Sequence, residues 1–154
     1  MKEQWKVIAD HPTYSVSNTG QVRNDKTEHI LKLNTHRKDY TRVNLYQNGK
    51  RSNLLVHRLV AIAFLPNPNN YPSVNHINEV KHDNQISNLE WCTVQYNNEY
   101  SHAKTYQFIN PLGIVVEVFN LAKFCRDNEL IHSCMSMLQS GKRKSHKGWT
   151  CITV

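Results

Sequence analysis

The sequence holds no long hydrophobic run. Its longest apolar stretch, around Leu59 to Leu65, falls well short of the roughly 20 residues that a membrane span requires. The opening segment, MKEQWKVIADHP, contains no apolar stretch of signal-peptide length. Both absences argue against a membrane protein or a secreted one and predict a cytoplasmic location. Cysteine is sparse: Cys92, Cys125, Cys134 and Cys151 stand far apart with no CxxC pair. That spacing excludes a disulfide scaffold and a zinc ribbon, and it predicts reduced thiols. No long-period repeat is present. At 39% hydrophobic and 20% charged, the composition is not that of a disordered polymer.

Acidic residues are scarce too, 12 Asp and Glu against 19 Lys and Arg, which leaves a net charge of +7 over 154 residues. The charge is uneven. Residues 1–56 carry a net +5, residues 57–103 a net −2 and residues 104–154 a net +4. The middle also holds four of the nine histidines. Two basic arms around a histidine-bearing centre suit a polyanion gripped at both ends and worked on between them. Three unevenly charged solvated surfaces fit the same numbers.

The first arm reads as β-structure. Tyr14 to Ser17 alternates, Asn18 to Gly20 turns, and Gln21 to Arg23 returns. His29–Leu33 and Tyr40–Tyr46 are further strand candidates, and Asn48-Gly49 is a second hairpin turn before Arg51–Val56. This predicts a small antiparallel sheet carrying Arg23, Lys32, Arg42 and Arg51 as candidate contacts to the polyanion. The period then changes. Val56 to Leu65 is nearly all apolar at helical spacing, ended by Pro66 and Pro68. Val74–Ile77 and Leu89–Cys92 read as short strands around a polar loop, and Thr93 can cap a helix through Asn97 to about His102.

In the second arm, Asn110 to Gly113 turns a third hairpin between Tyr106–Ile109 and Ile114–Phe119. Asn120 can cap a helix at Leu121–Asn128, and Ser133–Ser140 is a second short helix ended by Gly141. This pair suggests helix-turn-helix geometry. Its turn has Glu129 where Gly is frequent, so Asn128 is the expected left-handed residue. His132, Ser133, Ser136 and Gln139 are candidate groove-facing residues, with Met135 and Leu138 turned to the core. Lys142, Arg143, Lys144 and Lys147 are candidate phosphate contacts. Gly148 to Thr150 reads as a closing strand.

The chemistry concentrates in the middle. A strand-loop-strand hairpin packed on a helix can bring Asn75 and His76 to face Asn97. Oxygen donors there suit one hard cation, Mg²⁺ or Mn²⁺. A neutral histidine beside it can take a proton from attacking water, and phosphodiester hydrolysis needs little else. His57, at the start of the apolar helix, reads equally as a site residue or a structural histidine. His82 and Asp83 read as solvated loop, and Cys92 beside Trp91 as core.

The run Val74-Asn75-His76-Ile77, Asn84, Ser87-Asn88-Leu89-Glu90-Trp91 and Asn97 resembles the ββα-metal (His-Me finger) motif of HNH endonucleases. Val56 to Ala61 is similar to the lead-in helix of the phage and intron-encoded homing branch. Trp5-Lys6 through Tyr14 to Val22 resembles the DNA-binding module of those nucleases, and Asn120 to Trp149 their helix-turn-helix module. The resemblance covers most of the chain. It implies an α+β protein in three parts: an N-terminal antiparallel β module at 1–55, a central HNH nuclease core at 56–103 and a C-terminal helix-turn-helix module at 104–154. It implies His76 as general base, Asn75 and Asn97 as metal ligands, and Asn88 as the residue that holds the hairpin loop. It also implies a site-specific homing endonuclease acting on double-stranded DNA as an extended monomer, nicking one strand first, in the host cytoplasm if phage-encoded. The alternative is a DNA-binding regulator with an inactive HNH core. An RNA-binding module is disfavoured, because side chains cannot read the deep major groove of A-form RNA. Two positions depart from the pattern. Asn75 stands where some members have Asp, and Asn78-Glu79 stands where the loop often reads Asp-Gly.

Overall fold

A computed structural model describes residues 2–35 and 39–152. The chain is α+β with antiparallel sheets, and it divides into two compact units, Met1–Val94 and Gln95–Val154. The packing therefore divides the chain once, between Val94 and Gln95.

The first unit opens with β1 (Trp5–Ile8), β2 (His11–Ser17), β3 (Val22–Asn24) and β4 (His29–Ile30), a four-stranded sheet in chain order. β5 (Arg42–Gln47) and β6 (Lys50–Leu55) form a separate two-stranded ribbon. The sequence predicts one sheet carrying the four basic residues; instead Arg23 lies on the first sheet and Arg42 and Arg51 on the ribbon, with Lys32 outside any strand. The physical reason is that β4 ends after His29–Ile30, and beyond it the described residues pair with the ribbon through an isolated bridge, Asn34 to Arg42. Helix α1 (Val56–Phe64) starts directly from β6, and its last turn closes with Leu65 N–H on the Ala61 carbonyl before Pro66. The hairpin β7 (Ser73–His76) and β8 (Leu89–Cys92) completes the unit.

One apolar core runs through all of it. Val16 and Val22 from the first sheet, Val43 and Leu45 from the ribbon, Val56 and Val60 from α1, and Val74 and Leu89 from the last hairpin belong to a single cluster. The alternation in the sequence has this cause: inward residues of the first sheet, the ribbon and the last hairpin share one core with the helix.

The second unit contains α2 (Val94–Ser101, from Gln95 onward), a three-stranded sheet in the order β10 (Val115–Phe119), β9 (Thr105–Ile109), β11 (Thr150–Cys151), and helices α3 (Leu121–Asp127) and α4 (His132–Gln139). Phe108, Val118, Leu121, Cys125, Met135 and Leu138 form its core. Asn120 caps α3, its side chain accepting the Lys123 N–H at 3.0 Å. The end of α3 differs from expectation. Glu129, not Asn128, is left-handed, with φ 54° against −112° for Asn128. Leu130 N–H donates to the Cys125 carbonyl at 2.7 Å and Glu129 N–H to the Arg126 carbonyl at 3.3 Å. That bond pair is a Schellman closure, which fixes the residue after the cap as the left-handed one whatever its side chain. Leu130 packs on the core, so tertiary contact selects the geometry over local preference.

Candidate active site

The β7–β8 hairpin places Asn75 opposite Glu90 and His76 opposite Leu89. Asn75, His76, Asn84 and Asn88 are all buried. Between the strands the chain makes a polar loop, and Asn88 binds it at both ends. Its Oδ1 accepts the Asn78 N–H at 2.9 Å, its carbonyl accepts the Ile77 N–H at 2.9 Å, and its Nδ2 donates to the Asp83 carbonyl at 2.8 Å. A side chain with one acceptor and one amide donor group can do this; a carboxylate cannot. The turn after His76 closes with Glu79 N–H on the His76 carbonyl at 3.0 Å. Glu79 is left-handed, φ 61°, which explains why Gly suits that position; the turn survives without it at a conformational cost.

His76 is oriented by Asn84, a residue that belongs to the motif run but to which the sequence assigns no role. Asn84 Oδ1 lies 3.3 Å from His76 Nε2, while Asn84 Nδ2 donates to the His82 carbonyl at 3.1 Å. With the amide nitrogen engaged, the oxygen faces the imidazole. Nε2 therefore carries the proton and Nδ1 keeps its lone pair. Burial is the main cause that pushes the His76 pKa below its ordinary value; Asn84 and Asp83 act against it, while the charges of His82 and Lys81 add to it. The net lowering favours the neutral ring, the form that can accept a proton.

A second imidazole stands beside it. The His57 ring centroid is 5.0 Å from that of His76 and 4.8 Å from that of Tyr40. Tyr40 also lies 5.8 Å from His76, with the Lys81 ammonium 5.0 Å from its ring. His57 is 4% exposed, and its Nδ1 is buried without a hydrogen-bond partner among the described residues. Burial first, then the neighbouring charges of His76, Arg58 and Arg42, lower its pKa to about 3. His57 is thus part of the His76 surroundings. The sequence could not separate that placement from a core histidine, because Tyr40 and His76 reach it only through the fold.

Asn75 donates from Nδ2 to Glu90 Oε1 at 2.9 Å, which leaves its amide oxygen as the atom to offer a cation. That oxygen fits a hard divalent ion, held by a neutral dipole with a carboxylate one hydrogen bond behind it. No group of three or more His, Cys, Asp or Glu side chains that could hold a metal occurs among the described residues. Asn97 lies on α2, half-buried, in the second unit. There the Arg126 guanidinium grips both oxygens of Glu99 at 2.7 and 2.6 Å, and Tyr100 packs on Phe119 at 5.0 Å.

The basic candidates vary in their engagement. Arg23 is held by Asp25 at 2.9 Å and stacks on Trp5 at 4.6 Å. Arg42 donates to Asn53 at 3.0 Å, and Lys32 and Arg51 are exposed. On α4, His132, Ser133, Ser136 and Gln139 face solvent while Met135 and Leu138 are buried. Lys142, Arg143 and Lys144 are exposed beside them, with Arg143 bonded to the Ser145 carbonyl at 2.7 Å.

A two-stranded hairpin that presents a buried histidine held by Asn84, with an asparagine bracing its loop, is the arrangement of a ββα-type nuclease core. Comparison with known proteins agrees. Residues 3–46 match the NUMOD4 motif and residues 54–99 match an HNH endonuclease family model. DNA endonuclease I-HmuI of Bacillus phage SP01 is 30% identical, over 96% of this chain and 95% of its own length. An uncharacterized HNH endonuclease of Acanthamoeba polyphaga mimivirus is 31% identical over 88% of this chain, which spans 39% of that relative. A solved structure of the HNH homing endonuclease I-HmuI, concerned with DNA binding and cleavage, superposes with a TM-score of 0.57 at 30% identity, over 96% of this chain and 95% of that one. The chain belongs to the HNH endonucleases. No helix among the described residues is long and apolar enough to cross a membrane.

Proposed function

We propose that this protein is a site-specific homing-type DNA endonuclease that hydrolyses a phosphodiester bond with His76 as general base. The observation that carries the reading is the Asn84 contact: its Oδ1 lies 3.3 Å from His76 Nε2, which assigns the proton to Nε2 and leaves Nδ1 as the basic atom. His76 Nδ1 takes a proton from the attacking water, which opens the way to a 5′-phosphate and a 3′-hydroxyl. Neutral imidazole is the resting form, so no proton has to leave the ring first. Asn75 and Asn97 would hold one divalent ion, Mg²⁺ or Mn²⁺, through their amide oxygens. When bound, that ion supplies the positive charge that offsets charge developing on the phosphate and the leaving oxygen. Asn88 keeps the loop in register and touches no substrate.

Duplex DNA is the partner this reading requires. Lys142, Arg143, Lys144, Arg42, Arg51 and Lys32 supply phosphate contacts, with Arg23 braced by Asp25 at the same end of the chain. His132, Ser133, Ser136 and Gln139 present the groove-facing side of α4. The enzyme acts as a monomer in the cytoplasm, that of the host if it is phage-encoded, and one active centre per monomer nicks one strand first.

The test is nicking of supercoiled DNA bearing the gene's own flanking sequence, with Mg²⁺, with Mn²⁺ and with chelator. Metal-dependent nicking that His76→Ala abolishes is the expected result. Nicking that survives the substitution would place the base elsewhere. Tight binding without cleavage under either metal would instead support a DNA-binding regulator.

A further inference from the structure

We propose that the Asn18–Gly20 turn of the N-terminal hairpin is a positioning element of the nuclease, fixing the ring of His76 through Asn84. The proposal rests on His76 as the base and assigns work to a segment whose evident use is only to join β2 to β3.

The turn and the catalytic loop are in direct contact. The Asn18 carbonyl accepts the Ile86 N–H at 2.9 Å, so the backbone of the turn anchors the loop two residues beyond Asn84. Gly20 is left-handed, φ +90°, and a Cβ built on it would lie 2.8 Å from Asn84 Cβ and 3.3 Å from the Asn84 carbonyl oxygen. No real Cβ sits that close, so the absence of a side chain at Gly20 is what lets Asn84 occupy its place. Asn84 is 4% exposed and spends Nδ2 on His82 and Oδ1 on His76. The turn is itself braced. Asn18, 4% exposed, accepts the Gln4 N–H at 2.9 Å and donates to the Lys2 carbonyl at 3.2 Å. Ser17 Oγ accepts the Gln21 N–H at 3.0 Å. A rigid turn, a glycine without clearance and a single side chain lead in unbroken contact from the first sheet to the imidazole.

The fit is also tight enough to matter. The Asn84 to His76 bond is already 3.3 Å, near the limit at which such a bond holds a proton in place. A displacement of Asn84 by a few tenths of an ångström releases the ring to either tautomer. The form protonated on Nδ1 has no lone pair there to offer.

The experiment uses the full chain. Wild type, Gly20→Ala, Asn18→Ala and Asn84→Ala are compared by ¹⁵N chemical shifts of the His76 ring without DNA, and by nicking rate at saturating supercoiled DNA. Gly20→Ala should give a mixed tautomer population and a kcat lower by about 10- to 100-fold, with DNA affinity within about twofold. Asn84→Ala should reproduce both effects, and adding Gly20→Ala to it should cost little more. Asn18→Ala loosens the turn without placing an atom against Asn84; it should shift both readouts less, in the same direction. If Gly20→Ala fails to fold, the Asn18→Ala result decides. An unchanged tautomer in the folded turn variants would overturn the proposal. So would loss of DNA affinity with the saturated rate intact, which would make the turn a DNA contact. Wild type that does not nick at all would sink the nuclease reading, while the ring spectra would still report on the contact path.

Discussion

Acidification should weaken the first unit through His57, by an amount set by its burial. In the folded chain His57 holds no proton until about pH 3, whereas an unfolded histidine takes one up near 6.5. Between these values the unfolded state binds more protons, so stability rises with pH. The contribution is complete above pH 6.5 and is lost progressively as pH falls from 6.5 toward 3. Each pH unit inside the window is worth about 1.4 kcal/mol, so a drop from about pH 7.5 to about pH 4.5 removes about 2–3 kcal/mol. With a urea dependence of about 1–3 kcal/mol per molar, the midpoint falls by about 1–3 M. Trp5 and Trp91 both lie in the first unit and report its unfolding by fluorescence. His57→Gln keeps a polar side chain that never charges, so its midpoint should fall less than that of wild type over the same range. His76, Arg58 and Arg42 are the charged or titratable groups that act on His57, and all three stay in the variant. Parallel midpoint curves for the two proteins would refute the assignment of a neutral, desolvated His57.

Two further outcomes are expected. Asn75→Asp puts a carboxylate against Glu90 in place of an amide donor, so the metal-free variant should unfold about 1–3 kcal/mol more easily, and Mg²⁺ should restore it; an apparent melting temperature indifferent to Mg²⁺ would argue against Asn75 as a ligand. Glu129→Gly removes a side chain from a left-handed position whose Schellman bonds are all backbone, and should stabilise the second unit by about 1 kcal/mol, read from the Trp149 fluorescence transition; a loss of stability would mean that the Glu129 side chain has a stabilising contact.

Much of the fold is legible where local signals coincide with it. The turns at Asn18 to Gly20, Asn48-Gly49 and Asn110 to Gly113, the Asn120 cap and the proline stop after α1 are each decided within a few residues. β1 is not legible as a strand, because Trp5, Lys6 and Val7 do not alternate in burial and pair with β2 through a register shift. The split of one expected sheet into a sheet and a ribbon is likewise non-local, since nothing near Lys32 or Arg42 announces that the first sheet ends before one and the ribbon begins at the other. The same boundary runs through the site. Asn75, His76 and Asn88 form a recognisable pattern along the chain. The Asn84 contact, the Tyr40 and His57 rings and the Glu90 brace on Asn75 are products of folding.

The single core from Ile8 to Leu89 has a consequence for inheritance. Recognition segments and cutting segments are easily pictured as beads that recombination can restring. A crossover between the stretches matched at 3–46 and 54–99 would sever Val16, Val22, Val43 and Leu45 from Val56, Val60 and Val74. Each hybrid would inherit half of an apolar interior, shaped to a partner it no longer has. Within the first 94 residues change is left to substitution at exposed positions, and that stretch is passed on as one block.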